Sequence, residues 1–211
     1  GGEVFDADLR GYRRLARFGR APMPGGALAV KRPYRMALGY LLASEGFAED
    51  SGDGAPGIAA ATDLADPGHP AAAFLVRLDP REAALVRQQV ARRLNAPVAS
   101  SAGRLFDAAA ALIGIRDVAE YEAQAAIDLE LAAGERVAAA LPYRLVRHDG
   151  LVVYDPRPTL SALLAGRAGG RSSGDLAAAF QATAVKMLVR KTGRAALALG
   201  VHRIVLTGGV A

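Results

Sequence analysis

The residues of this chain best suited to chemistry are paired glycines and one aspartate. Near its end, Ile204-Val205-Leu206-Thr207 form an apolar, strand-type run directly before Gly208-Gly209. A strand feeding such a turn lets the backbone approach a ligand that a side chain would strike, which suits a phosphate or a nucleoside. The opening Gly1-Gly2-Glu3-Val4-Phe5 invites the same reading. A third segment, Ser100-Ser101-Ala102-Gly103-Arg104-Leu105-Phe106-Asp107-Ala108, joins a glycine to a helix start. Backbone N–H groups at Gly103 suit phosphate oxygens, and Asp107, one turn further on, suits ribose hydroxyls as an acceptor. Together the segments read as walls of one nucleotide cleft. Singly, each has a plainer reading: Gly208 and Gly209 end a strand, Ser100 or Ser101 caps the helix, and Asp107 meets only water.

Other chemistries find less support. The chain has no cysteine, which removes disulfides, thiolate metal ligands and a covalent thiol carrier. His69, His148 and His202 are scattered without ligand spacing, so these residues predict no metal site. The net charge of +5 raises the question of a polyanionic partner, but Arg10-Gly11-Tyr12-Arg13-Arg14 and Arg92-Arg93 are too short for a nucleic-acid stripe. Apolar runs such as 195–199 fall short of the roughly 20 residues a membrane span needs, so neither a span nor a membrane partner is expected. Without cysteines or a leader, the expected home is the cytoplasm.

With 211 residues, 52% of them apolar, the chain can bury a substantial core. The pattern is helix-rich with some β structure. Segment 4–15, bounded by Pro22-Met23-Pro24-Gly25-Gly26, reads as strand or hairpin. Helices are expected over 31–44, from Asp79-Pro80-Arg81-Glu82 onward, over 104–113, from a second capping box at Asp117 to about 133, from Asp155-Pro156-Arg157-Pro158, and from Ser172 to Gly200, with Gly193 a candidate kink. In the last of these, Leu176, Phe180, Ala184, Met187 and Leu188 should face inward. Around His148-Asp149-Gly150 the alternation predicts a β-hairpin. The stretch 49–70 lacks periodicity and is expected to be a mobile surface loop. A start without methionine and an end within a glycine turn suggest a segment, 1–211, of a longer catalytic domain.

Several of these stretches together resemble one family. Gly1-Gly2-Glu3-Val4-Phe5 with Ala7-Asp8-Leu9, Pro24-Gly25-Gly26, Pro33-Tyr34-Arg35-Met36-Ala37-Leu38, Ser100 to Ala108, Tyr121-Glu122-Ala123-Gln124-Ala125-Ala126 and Asp155-Pro156-Arg157-Pro158 are similar to the C-terminal catalytic region of hydrogenase-maturation carbamoyltransferases of the HypF type. The resemblance implies part of an actin/sugar kinase/Hsp70-like (ASKHA) α/β nucleotide-binding fold with helical insertions. It implies ATP and carbamoyl-adenylate as ligands, carbamoyl phosphate as the carbamoyl source of the whole enzyme, and a HypE-type acceptor protein ending in cysteine. A divalent metal, iron or zinc, would be held by residues outside this segment. Nucleotide contacts are implied for Gly1, Gly2, Gly103, Asp107, Gly208 and Gly209, and less directly for Glu122. One departure points elsewhere: Gln181 follows Phe180 where hydrogenase-type members usually carry histidine. With Lys191-Thr192, it is more similar to relatives that form threonylcarbamoyladenosine on tRNA. That transferase and a non-catalytic nucleotide-binding module are the alternative readings.

Overall fold

The computed structural model describes residues 1–43, 64 and 66–208. Strands β1 (Val4–Asp8) and β2 (Gly11–Phe18) form an antiparallel hairpin. Its turn is held locally, with Asp8 Oδ1 accepting from the backbone N–H groups of Arg10 and Gly11 at 2.7 and 3.0 Å. The second expected hairpin joins β5 (Arg144–His148) to β6 (Leu151–Asp155) through Asp149 and Gly150, at φ 48° and 78°. Both angles are those of the two-residue turn that follows strand twist. β6 lies parallel to β2, pairing Ala16 with Val152 and Phe18 with Tyr154, so the four strands run β1-β2-β6-β5. A parallel pair needs a long crossover, and here most of the helices lie within it.

The crossover leaves β2 through β3 (Ala21–Pro22), which pairs with β4 (Val98–Ala99), and returns to the sheet after α1 (Leu28–Lys31), α2 (Pro33–Leu42), α3 (Ala72–Leu75), α4 (Pro80–Ala91), α5 (Ala102–Leu112) and α6 (Gln124–Ala133). Helices α7 (Arg157–Ala168) and α8 (Ser173–Leu199) follow β6. The core centres on α2 against α5. Met36, Leu38 and Leu41 meet a helix whose Ala108 to Ala111 are all fully buried, and four small side chains in sequence let the axes approach closely.

Several expected boundaries moved, each for a local reason. The helix expected over 31–44 is two helices broken at Arg32, where φ −131° and ψ 77° leave the helical region; Pro33 disfavours helical geometry in the residue before it. Ser44 and most of the 49–70 stretch lie outside the described residues. At α4, Asp79 Oδ1 caps Arg81 N at 2.7 Å, but Glu82 does not complete the box. It accepts instead from Tyr34 Oη at 2.8 Å and Arg35 Nη2 at 2.5 Å, because a buried guanidinium on α2 competes better than one backbone N–H. The Tyr34 hydroxyl and the Arg35 guanidinium together hold the Glu82 carboxyl below its ordinary pKa. The second box also fails. Asp117 is taken by Arg77 at 3.0 and 3.1 Å, and α6 starts only at Gln124.

The residue before α6 is Ala123 at φ 65° and ψ 2°. A side chain in this left-handed conformation costs about 1–2 kcal/mol that glycine avoids. Ala123→Gly is therefore expected to raise the unfolding free energy by about 1 kcal/mol, after allowing for the looser unfolded chain of glycine. Urea denaturation checks it, and a loss of stability would contradict the strain.

The expected terminal strand is a correction too. Residues 201–207 have no regular structure, and Ile204, Val205 and Leu206 are exposed. An isolated strand cannot satisfy its own backbone, and no described strand pairs with this run. Helix α8 itself matches expectation at both ends: the Ser172 side chain accepts from Asp175 N, the helix runs unbroken through Gly193, and Gly200 ends it at φ 65°.

Candidate functional site

The fold brings together the amino-terminal glycines and the start of α5. Ala102 N donates to the Gly1 carbonyl at 3.1 Å, which seats the diglycine on the same helix that carries Gly103 and Asp107. Gly2 has φ 82°, and a Cβ built there would lie 2.0 Å from Phe18 Cε2 and 3.0 Å from Ala102 Cβ. Only glycine fits between the ring and the helix. Phe18 is fixed in turn by an edge contact with Tyr154, their centroids 5.3 Å apart, and by Lys191 Nζ 4.6 Å from its centroid. Tyr154 Oη is bonded to Thr159 Oγ1 at 2.6 Å, and Thr159 Oγ1 donates to the Pro142 carbonyl. Tyr40 completes this buried group, and burial holds both tyrosine hydroxyls well above their ordinary pKa.

Asp107 lies on the inward face of α5 with 3% of its surface exposed. Burial pushes its carboxyl up to about 6, opposed by Arg104. Arg104 Nη1 stands 3.0 Å from Asp107 Oδ2, yet neither atom has a hydrogen-bond partner among the described residues. The charges attract without the alignment of a hydrogen bond, so the pairing is coulombic only. A buried carboxylate oxygen and a guanidinium nitrogen without bonds are costly, and such atoms are candidates to meet a polar ligand.

Of the other expected positions, Gly103 shares α5 with Asp107, whereas Glu122 and Gly208 are exposed. Gly103 follows Ala102 at the start of α5 and packs loosely, a Cβ there meeting only Ser101 Oγ at 3.6 Å. Ser101 occupies the N-cap position without a side-chain cap bond, so the capping reading of the serines is not realised there. Glu122 is exposed in the turn before α6. Gly208, at φ 105°, is exposed with nothing within 4 Å of a built Cβ; Gly209 lies outside the described residues. Among the described residues, no three His, Cys, Asp or Glu side chains gather as metal ligands. Nor is any described helix long and apolar enough to cross a membrane.

Phe18 and Tyr40 join the site without having been singled out by sequence, while Arg104 and Lys191 stood within sequence motifs without a role at the site. Lys191 was legible in principle. The buried face of α8 runs Leu176, Phe180, Thr183, Met187, Lys191, so a lysine continues an apolar stripe at helical spacing. Thr183, rather than the expected Ala184, takes the central place because its Oγ1 donates to the Ala179 carbonyl and accepts from Leu141 N.

Comparison with known proteins covers the same span. Residues 1–211 match the family model described as carbamoyltransferase, Kae1-like domain, second subdomain. The HypF carbamoyltransferase of Rhodobacter capsulatus is 37% identical over 99% of this chain and 24% of its own length; that of Rhizobium leguminosarum is 31% identical over the same shares. A full-length HypF solved in a phosphate- and nucleotide-bound form superposes over the whole chain with a TM-score of 0.83 at 28% identity, covering 25% of that protein. A tRNA N6-adenosine threonylcarbamoyltransferase of Geobacter sulfurreducens is 37% identical over 53% of the chain. The chain thus spans about a quarter of the HypF relatives just named.

Proposed function

The chain belongs to the HypF-type carbamoyltransferase family, as part of its Kae1-like domain, and on that premise we propose that it lines a nucleotide cleft in which a carbamoyl group passes from carbamoyl-adenylate to the C-terminal cysteine of a HypE-type acceptor, toward the cyanide ligands of nickel–iron hydrogenase. The observation that carries this reading is the junction of the diglycine with α5, which sets a backbone without side chains against the start of the helix that carries the buried, under-bonded Asp107. Asp107 accepts from ribose hydroxyls, and the Gly1-Gly2 and Gly103 backbone faces phosphate. That a full-length HypF was solved with phosphate and nucleotide bound supports a nucleotide as the ligand.

This chain itself has no cysteine to carry the carbamoyl group. In the proposed reaction the acceptor thiolate attacks the carbamoyl carbon directly: a C–S bond forms, the C–O bond to the adenylate phosphate breaks, and AMP leaves with the electron pair. The protein's part is to hold the adenylate, exclude water and keep its carbonyl in reach. Incubating the full-length protein with carbamoyl phosphate, ATP and an acceptor ending in cysteine should add one carbamoyl group to that cysteine by mass spectrometry. An acceptor left unmodified while ATP is consumed would sink this reading.

The tRNA reading is favoured by one observation, the local likeness to tRNA transferases over about half the chain. It requires RNA binding that falls steeply with salt. Threonylcarbamoyl transfer to tRNA by the full-length protein, with no acceptor thiol labelled, would establish it instead.

A further inference from the structure

Lys191 is buried, with 2% of its surface exposed, and carries its ammonium to the amino terminus of the chain. Among the described residues Nζ makes one hydrogen bond, to the Gly2 carbonyl at 2.8 Å, and otherwise sits over the Phe18 ring. The carboxylate acting on it, Glu3, is itself paired with Arg14 at 3.2 Å. An ammonium offers three donors, and taking it out of water is costly unless the charge has a use. A neutral donor would bond one carbonyl with less desolvation.

The geometry of the diglycine suggests the use. Its two carbonyls are both fixed by the protein, Gly1 by Ala102 N and Gly2 by Lys191. In a trans peptide the N–H points opposite to the carbonyl, so each anchor turns the next N–H, of Gly2 and of Glu3, away from its partner. A carbonyl oxygen turned toward a phosphate would repel it, whereas an N–H attracts it. We propose that Lys191 is a positioning residue for nucleotide phosphates: it locks the Gly1-Gly2 backbone with its N–H edge toward the ligand and supplies positive charge behind it. The inference rests on the reading of the diglycine as nucleotide-facing.

Its charge is poised to change. Burial lowers the Lys191 pKa from 10.5 to about 8, with Glu3 opposing. Among the described residues, Glu3 from the segment before β1, itself paired with Arg14 of β2, is the charged group acting on it, and Phe18 of β2 adds only its ring. Below pH 8 the ammonium is present; above it the neutral amine holds the carbonyl less firmly.

The test is calorimetric binding of a non-hydrolysable ATP analogue to the full-length protein between pH 7 and 9, with Lys191→Met and Lys191→Arg alongside. The wild type should bind severalfold more weakly at pH 9 than at pH 7. Lys191→Met should bind about tenfold or more weakly at pH 7, with no further loss on alkalinisation, yet melt no earlier, since it removes a buried charge. Lys191→Arg should recover part of the affinity and hold it to pH 9. Lys191→Met binding like wild type overturns the proposal, as does an Arg variant that declines like the wild type if the Met variant does not fold. A wild type that binds no analogue at any pH removes the nucleotide reading itself, and this inference with it.

Discussion

Replacing Asp107 with asparagine is expected to make the protein more stable at neutral pH and much poorer at holding nucleotide. The stability side follows from the raised carboxyl. A pKa of about 6 in the fold against an ordinary 3.8 means that the native state prefers the protonated acid. Below about pH 4 both states are protonated and nothing is lost; between 3.8 and 6 the folded state increasingly bears the cost of a buried charge, and above 6 it bears all of it. About two units correspond to about 3 kcal/mol. Asparagine avoids that cost but leaves Arg104 without its counter-charge, so the net gain near pH 7.5 should be about 1–3 kcal/mol and should vanish near pH 3.5. Urea unfolding at the two pH values checks the sign. On the binding side, a charge-assisted bond to a ribose hydroxyl is lost, about 1.5–3 kcal/mol or roughly 10- to 100-fold in affinity. A variant less stable at pH 7.5 would show that Asp107 is a structural ion-pair partner, and unchanged affinity would remove it from the cleft.

Gly39→Ala should be the most damaging conservative change in the core. Gly39 lies within α2, where alanine normally helps a helix. Here a Cβ would stand 2.3 Å from the Pro22 carbonyl oxygen and 3.2 Å from Pro24 Cδ. Backbone cannot rotate aside as a side chain can. Relief requires moving β3 or lifting α2 off its neighbours, with Met36, Leu38 and Leu41 all fully buried. A loss of about 3 kcal/mol is expected, well beyond the helix-propensity gain of about 1 kcal/mol. Gly166→Ala provides the internal comparison. Its Cβ would meet Leu176 Cδ2 at 2.7 Å, the far end of a flexible side chain, so it should cost clearly less. Equal losses at the two positions, measured by thermal or urea unfolding, would refute the argument from backbone rigidity.

The sequence by itself determined what depends on neighbours along the chain. Asp149-Gly150 fixed a hairpin because two adjacent residues tolerate positive φ. Asp79 and Ser172 fixed helix starts because a short side chain reaches an N–H two or three residues on. The motif residues around Gly1, Gly103 and Asp107 pointed to the family, and the diglycine and α5 do meet. Tertiary structure decided the rest, where distant groups competed for the same atoms. Arg35 took Glu82 from its capping box, and Arg77 took Asp117, because a guanidinium bonds a carboxylate more strongly than one backbone N–H does. Residues 204–206 have strand-forming side chains, but a strand exists only where another offers it hydrogen bonds. Lys191 and Gly2, which lie 189 positions apart, became one clamp only when α8 packed beside the first strands, a pairing that no local pattern encodes.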